Sequence, residues 1–241
     1  MYPRQGGSYA SFHAPLETPD QLTRLIVWPN SLSCTAIRRY SFRYLYMGLK
    51  KLKYSSLEDL LDHEPIVEED PGTAGIIQRL RHVKVDGDLS RSEFLDMCSW
   101  KSPRSIRHCK RNSAKAVKSV IRRVFVSRSE KKRLELLTSL HGVSVPTASA
   151  ILTLTDPRRY GVIDIRVWQL LFRLKSVKEN PRGQNFRFGH WFEYLKILRY
   201  HAKRLGVSVR LVELTLFKYH QNQQRGTLYE PQRRIRRASK I

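Results

Sequence analysis

The chain has 241 residues, 41% of them apolar and 10% aromatic, which suits one large folded domain or two small ones and excludes an intrinsically disordered protein. Its 45 Lys and Arg against 21 Asp and Glu give a net charge of +24, so the favoured partner is a polyanion: DNA, RNA or an anionic membrane surface. No run of about 18 apolar residues is present and the N-terminus has no apolar signal-peptide core, so the expectation is an intracellular, cytoplasmic protein, nucleoid-associated if bacterial, with no membrane partner. Cys34, Cys98 and Cys109 form neither a disulfide framework nor a CxxC pair, and the histidines lack metal-ligand spacing. No metal, no cofactor and no obligatory protein partner are expected.

Residues 1–85 read as a divergent N-terminal region, at most partly packed on the core. Within it, residues 20–50 are ambiguous, since "TRLIVW" fits a strand or a helix. From Tyr54 to Gln78 there is no Lys or Arg, and seven acids, Glu58 to Asp70, include the short helix "LEDLLDHE" with Ser55 or Ser56 as its cap. Residues 86–222 read as a run of helices. "SRSEFLDMCSW" has Ser90 or Ser92 as cap and Phe94, Leu95, Met97 and Cys98 inward. "SAKAVKSVIRRVFVS" turns Ala116, Val117, Val120, Ile121 and Val124 to one face at 3-4 spacing. "SEKKRLELLTSLHG" starts at Ser129 and stops at Gly142. "PTASAILTLTD", "DIRVWQLLFRLKS", "GHWFEYLKILRYHAKRLG" and "SVRLVELTLFKYHQNQQ" follow, the last capped by Ser208. From Lys101 to Glu135 there are 13 positive residues against two negative. Residues 223–241 form a basic tail, expected to be ordered only by a polyanion. No strand series and no repeat appears, so the fold class is all-α.

The informative stretch is "LHGVSVPTASAILTLTDPRRYGVIDIRVW", residues 140–168. A short glycine turn between two helices aims several backbone N–H groups outward, and the second helix's N-terminus is a favourable place for a phosphate oxygen. Gly142 permits the turn, Val143 and Val145 can tuck inward, and Pro146 is a natural early helix residue. Gly142, Val143, Ser144, Val145 and Thr147 are therefore the candidate DNA-backbone-binding residues. An ordinary αα-hairpin would carry the same local signals.

The pattern LxGVxxxTAxxIL followed by YxVIDxRVW resembles the helix-hairpin-helix DNA glycosylase superfamily, in its endonuclease III-like branch. The resemblance covers about residues 88–222 and is specific from Leu134 to Leu171. It includes the interval of 22 residues from Gly142 to Asp164. It implies a helical glycosylase-like fold, binding to duplex DNA with one nucleotide flipped out, and Asp164 as the catalytic acid. Cleaving a base–sugar bond builds oxocarbenium character on the sugar, which an ionised carboxylate stabilises while it activates water. Asp164 is equally a good N-cap for "DIRVWQLL", worth about 1 kcal/mol, and the two roles are compatible. Bifunctional members carry a lysine four residues after the first hairpin glycine, where this chain has Pro146. The resemblance then implies a monofunctional glycosylase. Ser144 replaces the second hairpin glycine, and no cysteine follows Cys109, so the iron–sulfur cluster of many members is not expected.

"CSWKSPRSIRHCKRNS" lies where that superfamily borders its base pocket, and its Trp100, Lys101 and Arg104 look like a pattern in bacterial members. Trp100 could stack on an extruded base, and Lys101 could contact a phosphate or the base. Lys101 is also the best replacement amine for a lyase step. Tyr160 either packs beneath the loop or lines the pocket, and Arg166 faces phosphate or solvent. Trp168 reads as core. "RGQNFRFGHWF" suits DNA contact or closure of the core, and Arg122, Arg123, Lys131 and Lys132 read as backbone contacts or solvated helix faces. Besides a glycosylase, the residues allow a non-catalytic DNA-binding protein, an RNA-binding protein, or a glycosylase with a relocated lyase lysine. The base removed, whether damaged, mismatched or enzymatically modified, is not encoded in any one segment.

Overall fold

Serine and aspartate caps punctuate the chain, and the helices begin where they stand. A computed structural model describes residues 52–224. The ambiguous segment 20–50 and the basic tail from residue 225 lie outside the described residues. Ser56, Asp70, Ser90, Ser113, Ser129, Asp164 and Ser208 each accept an N–H of the first helical turn through the side chain, and Ser90 and Glu93 complete a reciprocal capping box. The resulting helices are α1 (Leu57–His63), α2 (Pro71–Arg79), α3 (Arg81–Asp86), α4 (Arg91–Lys101), α5 (Ile106–Cys109), α6 (Ala114–Val126), α7 (Glu130–Thr138), α8 (Val145–Thr155), α9 (Ile165–Arg173), α10 (Phe188–Leu205) and α11 (Val209–Gln223). A single 3-10 turn, Pro103–Ser105, joins α4 to α5. No β-strand occurs among the described residues, and the architecture is an all-α bundle.

α2, α3 and α5 have no counterpart in the sequence reading. Pro71, Gly72 and Gly75 gave the α2 segment the composition of a loop. In fact Asp70 caps it and Pro71 occupies the first position, where a missing N–H costs nothing.

α6 packs along α7, α4 along α8, and both α9 and α10 along α11. α8 carries no charged residue and is buried over Thr147–Thr155, and the hydroxyls of Ser149, Thr153 and Thr155 donate to carbonyls of the helix itself. Trp168, Trp191, Tyr194 and Phe94 are the largest fully enclosed side chains. Tyr54, Leu57, Leu60, Leu80 and Val83, from the region expected to diverge, enter the same core. Among the described residues no helix is long and apolar enough to cross a membrane.

The turn from α7 to α8 is held from below. Gly142 has φ of 77°, the left-handed region, and a Cβ there would lie 2.8 Å from the Cys109 backbone nitrogen and 2.8 Å from the His108 Cβ. Buried Asn112 clamps the same turn. Its Oδ1 accepts the His141 N–H at 2.9 Å, and its Nδ2 donates to the His141 and Cys109 carbonyls at 2.9 and 2.8 Å. Sequence reasoning asked for a glycine to make the bend; packing against α5 is a second and stricter requirement. Gly142→Ala should therefore cost roughly 1–3 kcal/mol or more, since left-handed strain and a backbone collision act together. Urea denaturation of the variant checks this, and an unchanged midpoint would contradict the packing described.

Candidate active site

The α8 helix and the loop after it bring the two features of the motif to one end of the bundle. Ile163, the residue before Asp164, donates its N–H to the Ser149 hydroxyl at 3.0 Å. Ser149 lies four residues into α8 from Val145, so only about 6 Å of helix axis separates the hairpin end from this anchor. Among the described residues, the N–H groups of Gly142, Ser144, Val145 and Thr147 find no acceptor, whereas that of Val143 is spent on the Leu140 carbonyl at 3.2 Å. Three of these unpaired donors, on Gly142, Ser144 and Val145, belong to residues with exposed surface, whereas Thr147 is 1% exposed. Ser144 is exposed, Gly142 and Val145 are half-buried, and Val143 and Thr147 are buried.

The loop Asp156–Ile163 is tied along its length. The Pro157 carbonyl accepts from the Arg210 N–H at 3.0 Å, and that of Arg159 accepts from Arg199 Nε at 2.9 Å. The Val162 carbonyl accepts from the Tyr194 hydroxyl at 2.9 Å. Gly161 permits the approach to α10 and α11, because a Cβ would stand 2.7 Å from Leu198 Cδ1 and 3.1 Å from Glu213 Cβ. Such a loop leaves its last residue little freedom.

That residue is Asp164. Its Oδ1 accepts the Arg166 N–H at 2.9 Å, which caps α9. Its Oδ2 receives Lys101 Nζ, from the last residue of α4, at 2.8 Å. The two side chains retain 20% and 16% exposure, so the pair is sheltered and still reachable. Burial would raise the Asp164 carboxyl. The Lys101 charge and hydrogen bond, with the Arg166 N–H, outweigh it and hold the acid below the usual carboxylate range. The site therefore offers an ionised carboxylate and an amine in contact, 63 positions apart in sequence.

Other candidate residues are placed differently from their expected use. The Trp100 indole N–H donates to Thr73 Oγ1 at 3.1 Å, and the Arg210 guanidinium lies 5.6 Å over its ring, so one face is already covered. Tyr160 is buried, bonded to Glu130 Oε2 at 3.0 Å and stacked on Trp191, and burial with the Glu130 charge pushes its hydroxyl to about 12. It packs beneath the loop and does not line a pocket. Arg166 is half-buried, bonds Gln224 and lies over Phe217. Arg104 is exposed, without an ion pair among the described residues. Trp168 is core, its indole N–H on the Asn180 carbonyl at 2.8 Å. In "RGQNFRFGHWF", Trp191 is enclosed and Phe186 and Phe188 pack against the core, while Arg182, Arg187 and Phe192 remain exposed.

Sequence reasoning missed Asn112, Ser149, Arg210 and Glu213. A signal existed for the last two: they interrupt the apolar face that Val209, Val212 and Leu216 give to α11, where a charge is costly unless paired. Among the described residues no group of His, Cys, Asp and Glu is arranged to hold a metal ion. No protein-family model, no curated protein and no solved structure matches the chain.

His220, behind Arg166 on α11, is fully enclosed with both ring nitrogens unpartnered among the described residues. Burial, then the charges of Arg166 and Arg173, push it down to about 4. The unfolded chain binds this proton below about pH 6.5 while the folded chain resists, so stability falls as pH drops through that window. Between pH 7 and pH 4.5 wild type should lose about 2 kcal/mol more than His220→Leu in urea denaturation. Equal losses would mean that this imidazole is not held neutral.

Proposed function

We propose that the chain is a DNA glycosylase: it binds duplex DNA, flips one base out, and hydrolyses its N-glycosidic bond with Asp164, leaving an abasic site. The observation that carries this reading is the ionised, sheltered but accessible carboxylate of Asp164, fixed at a helix start. Three further features support it. The free hairpin amides suit the phosphates of one strand. The anchor from Ile163 to Ser149 keeps acid and hairpin at one end of α8. The net charge of +24 suits a polyanion.

In this reaction the bond between C1′ and the base nitrogen breaks, and its electron pair leaves with the base. The Asp164 carboxylate faces the positive charge left on the sugar, then accepts a proton from the water that adds to C1′. Lys101 neutralises the acid in the free protein and can turn to a phosphate as DNA enters.

The 2.8 Å contact favours a second reading, in which Lys101 itself is the nucleophile. Pro146 removes the amine from the hairpin, and α4 supplies one at the acid instead. An unprotonated Lys101 would add to C1′ as the base departs with the electron pair of the C1′–N bond. The sugar ring then opens as the C1′–O4′ bond breaks and O4′ takes up a proton, giving a Schiff base that permits strand cleavage.

The test is incubation of the protein with genomic and phage DNAs, with released bases identified by mass spectrometry. Asp164→Asn should abolish release, a loss of about 100-fold or more, while keeping duplex affinity. Borohydride trapping on an abasic duplex separates the two readings, because only a Lys101 Schiff base gives a covalent product lost in Lys101→Gln. If wild type binds duplex and releases no base from any DNA, the chain is a DNA-binding protein without this activity. Preference for RNA in a direct competition would remove DNA as the partner.

A further inference from the structure

We propose that Arg210 and Glu213 of α11 form a buried positioning pair that sets Lys101 and Asp164 against each other. The inference rests on reading Lys101 and Asp164 as the reaction centre. Both residues of the pair are almost wholly enclosed, at 6% and 2% exposure. The Arg210 guanidinium bonds Glu213 through Nη1 and grips Glu69 through Nε and Nη2 at 2.6 and 3.0 Å. Its flat face covers the ring of Trp100, the residue immediately before Lys101. Its backbone N–H holds the start of the loop that leads to Asp164. The Glu213 carboxylate accepts the Val162 N–H at 3.4 Å, two residues before Asp164, and its Cβ backs Gly161. One ion pair therefore touches the chain beside both members of the proposed centre.

Stability does not account for this arrangement. Enclosing charges is expensive, and replacing a buried ion pair by apolar side chains of similar size is often neutral or favourable. A fold that needed only to close α11 against α4 and the loop had cheaper solutions. The pair supplies fixed geometry and charge. Glu69 and Glu213 outnumber Arg210 by one negative charge, and the Lys101 ammonium lies within the field of Glu213. Burial raises the Glu213 carboxyl while Arg210 and Lys101 pull it down, so the charges on α11 and α4 are linked. The resting Lys101 ammonium is thus drawn toward the interior side of Asp164 instead of outward to solvent.

Glu213→Gln retains the side chain's size and its acceptor for Val162 while deleting the charge. Glu69→Gln weakens the same cluster from its more exposed edge and serves if the first variant folds poorly. Two readouts are needed on protein shown to be folded by its thermal transition. The first is the rate at which Lys101 reacts with acetic anhydride, read by peptide mass spectrometry. It should rise severalfold in Glu213→Gln, because a negative neighbour of the ammonium is gone, and in Glu69→Gln, because Arg210 loses the partner that holds it against Glu213 and Trp100, while exposed lysines such as Lys203 stay unchanged. The second is base release on whichever DNA the wild type acts upon, where kcat should fall about 10–100-fold with KM nearly constant. A role in stability alone would lower the thermal transition and leave the Lys101 rate untouched. Unaltered Lys101 labelling in the folded variants overturns the proposal. Absence of base release by wild type overturns the glycosylase reading, and the labelling result still decides the positioning of Lys101.

Discussion

An ionised carboxylate inside a protein must be compensated, and the way Asp164 is compensated organises this end of the molecule. One charge, one backbone N–H and one helix terminus share the task. The N–H of Arg166 and the N-terminus of α9 meet one oxygen; the Lys101 ammonium meets the other. The requirement then propagates outward. For Lys101 to arrive, α4 must end where it does, against α8, with Trp100 turned inward onto Thr73 and Arg210. For Asp164 to wait there, the loop after α8 must be pinned to α7, α10 and α11. Each pin is a named contact made by a side chain or N–H of Glu130, Ser149, Tyr194, Arg199, Arg210 or Glu213. The surrounding polar groups are best understood as the cost of holding one acid still.

Positive charge is distributed on a different principle. Among the described residues Arg104, Arg122, Arg123, Lys131 and Lys132 lie on exposed surface, where they contribute long-range attraction and little to folding. Arg133, Arg199 and Arg210 instead pair with Glu130, Glu69 and Glu213 and act as struts. A count of basic residues cannot separate these populations. Burial does: it takes Arg210 and Arg133 out of the set available to a polyanion and leaves Arg104 and the α6 arginines within it.

What the sequence reveals follows from how local the controlling physics is. Helix starts were legible because an N-cap is decided within four residues: Ser90, Ser129, Ser208 and Asp164 all stand where the pattern put them. α2 was not legible, since its glycines and proline argue for a loop, and packing against α3 and α8 adds to the Asp70 cap in stabilising it. The glycine of the turn was read correctly for its bend, yet its collision partner in α5 lies 33 positions upstream and leaves no local trace. Trp100 and Tyr160 show the same boundary from the other side. Their chemistry as aromatic platforms is real, and their availability depends on Arg210 and Trp191, which sequence spacing does not bring into view.

The relation of Lys101 to Asp164 carries this reasoning one step further. A lysine at the hairpin position would have been judged by spacing, and Pro146 there argues for water as nucleophile. Yet a nucleophile is defined by where its nitrogen is, and any element that delivers an amine to the carboxylate meets the same requirement. α4 does so from 63 positions away. The chemistry open to this protein therefore turns on whether that ammonium can lose its proton as DNA displaces the surrounding water. Its neighbours all bear on the answer: Asp164 in direct contact, and Glu213 through the buried field. Removal of water strengthens the attraction between Lys101 and Asp164 and also raises the desolvation cost of holding two charges there. An incoming phosphate would compete for the ammonium and free the acid for water. A cationic sugar intermediate would instead compete for the carboxylate and free the amine. Under the proposed function, the same resting contact would lead to hydrolysis or to a Schiff base according to which partner the substrate takes first.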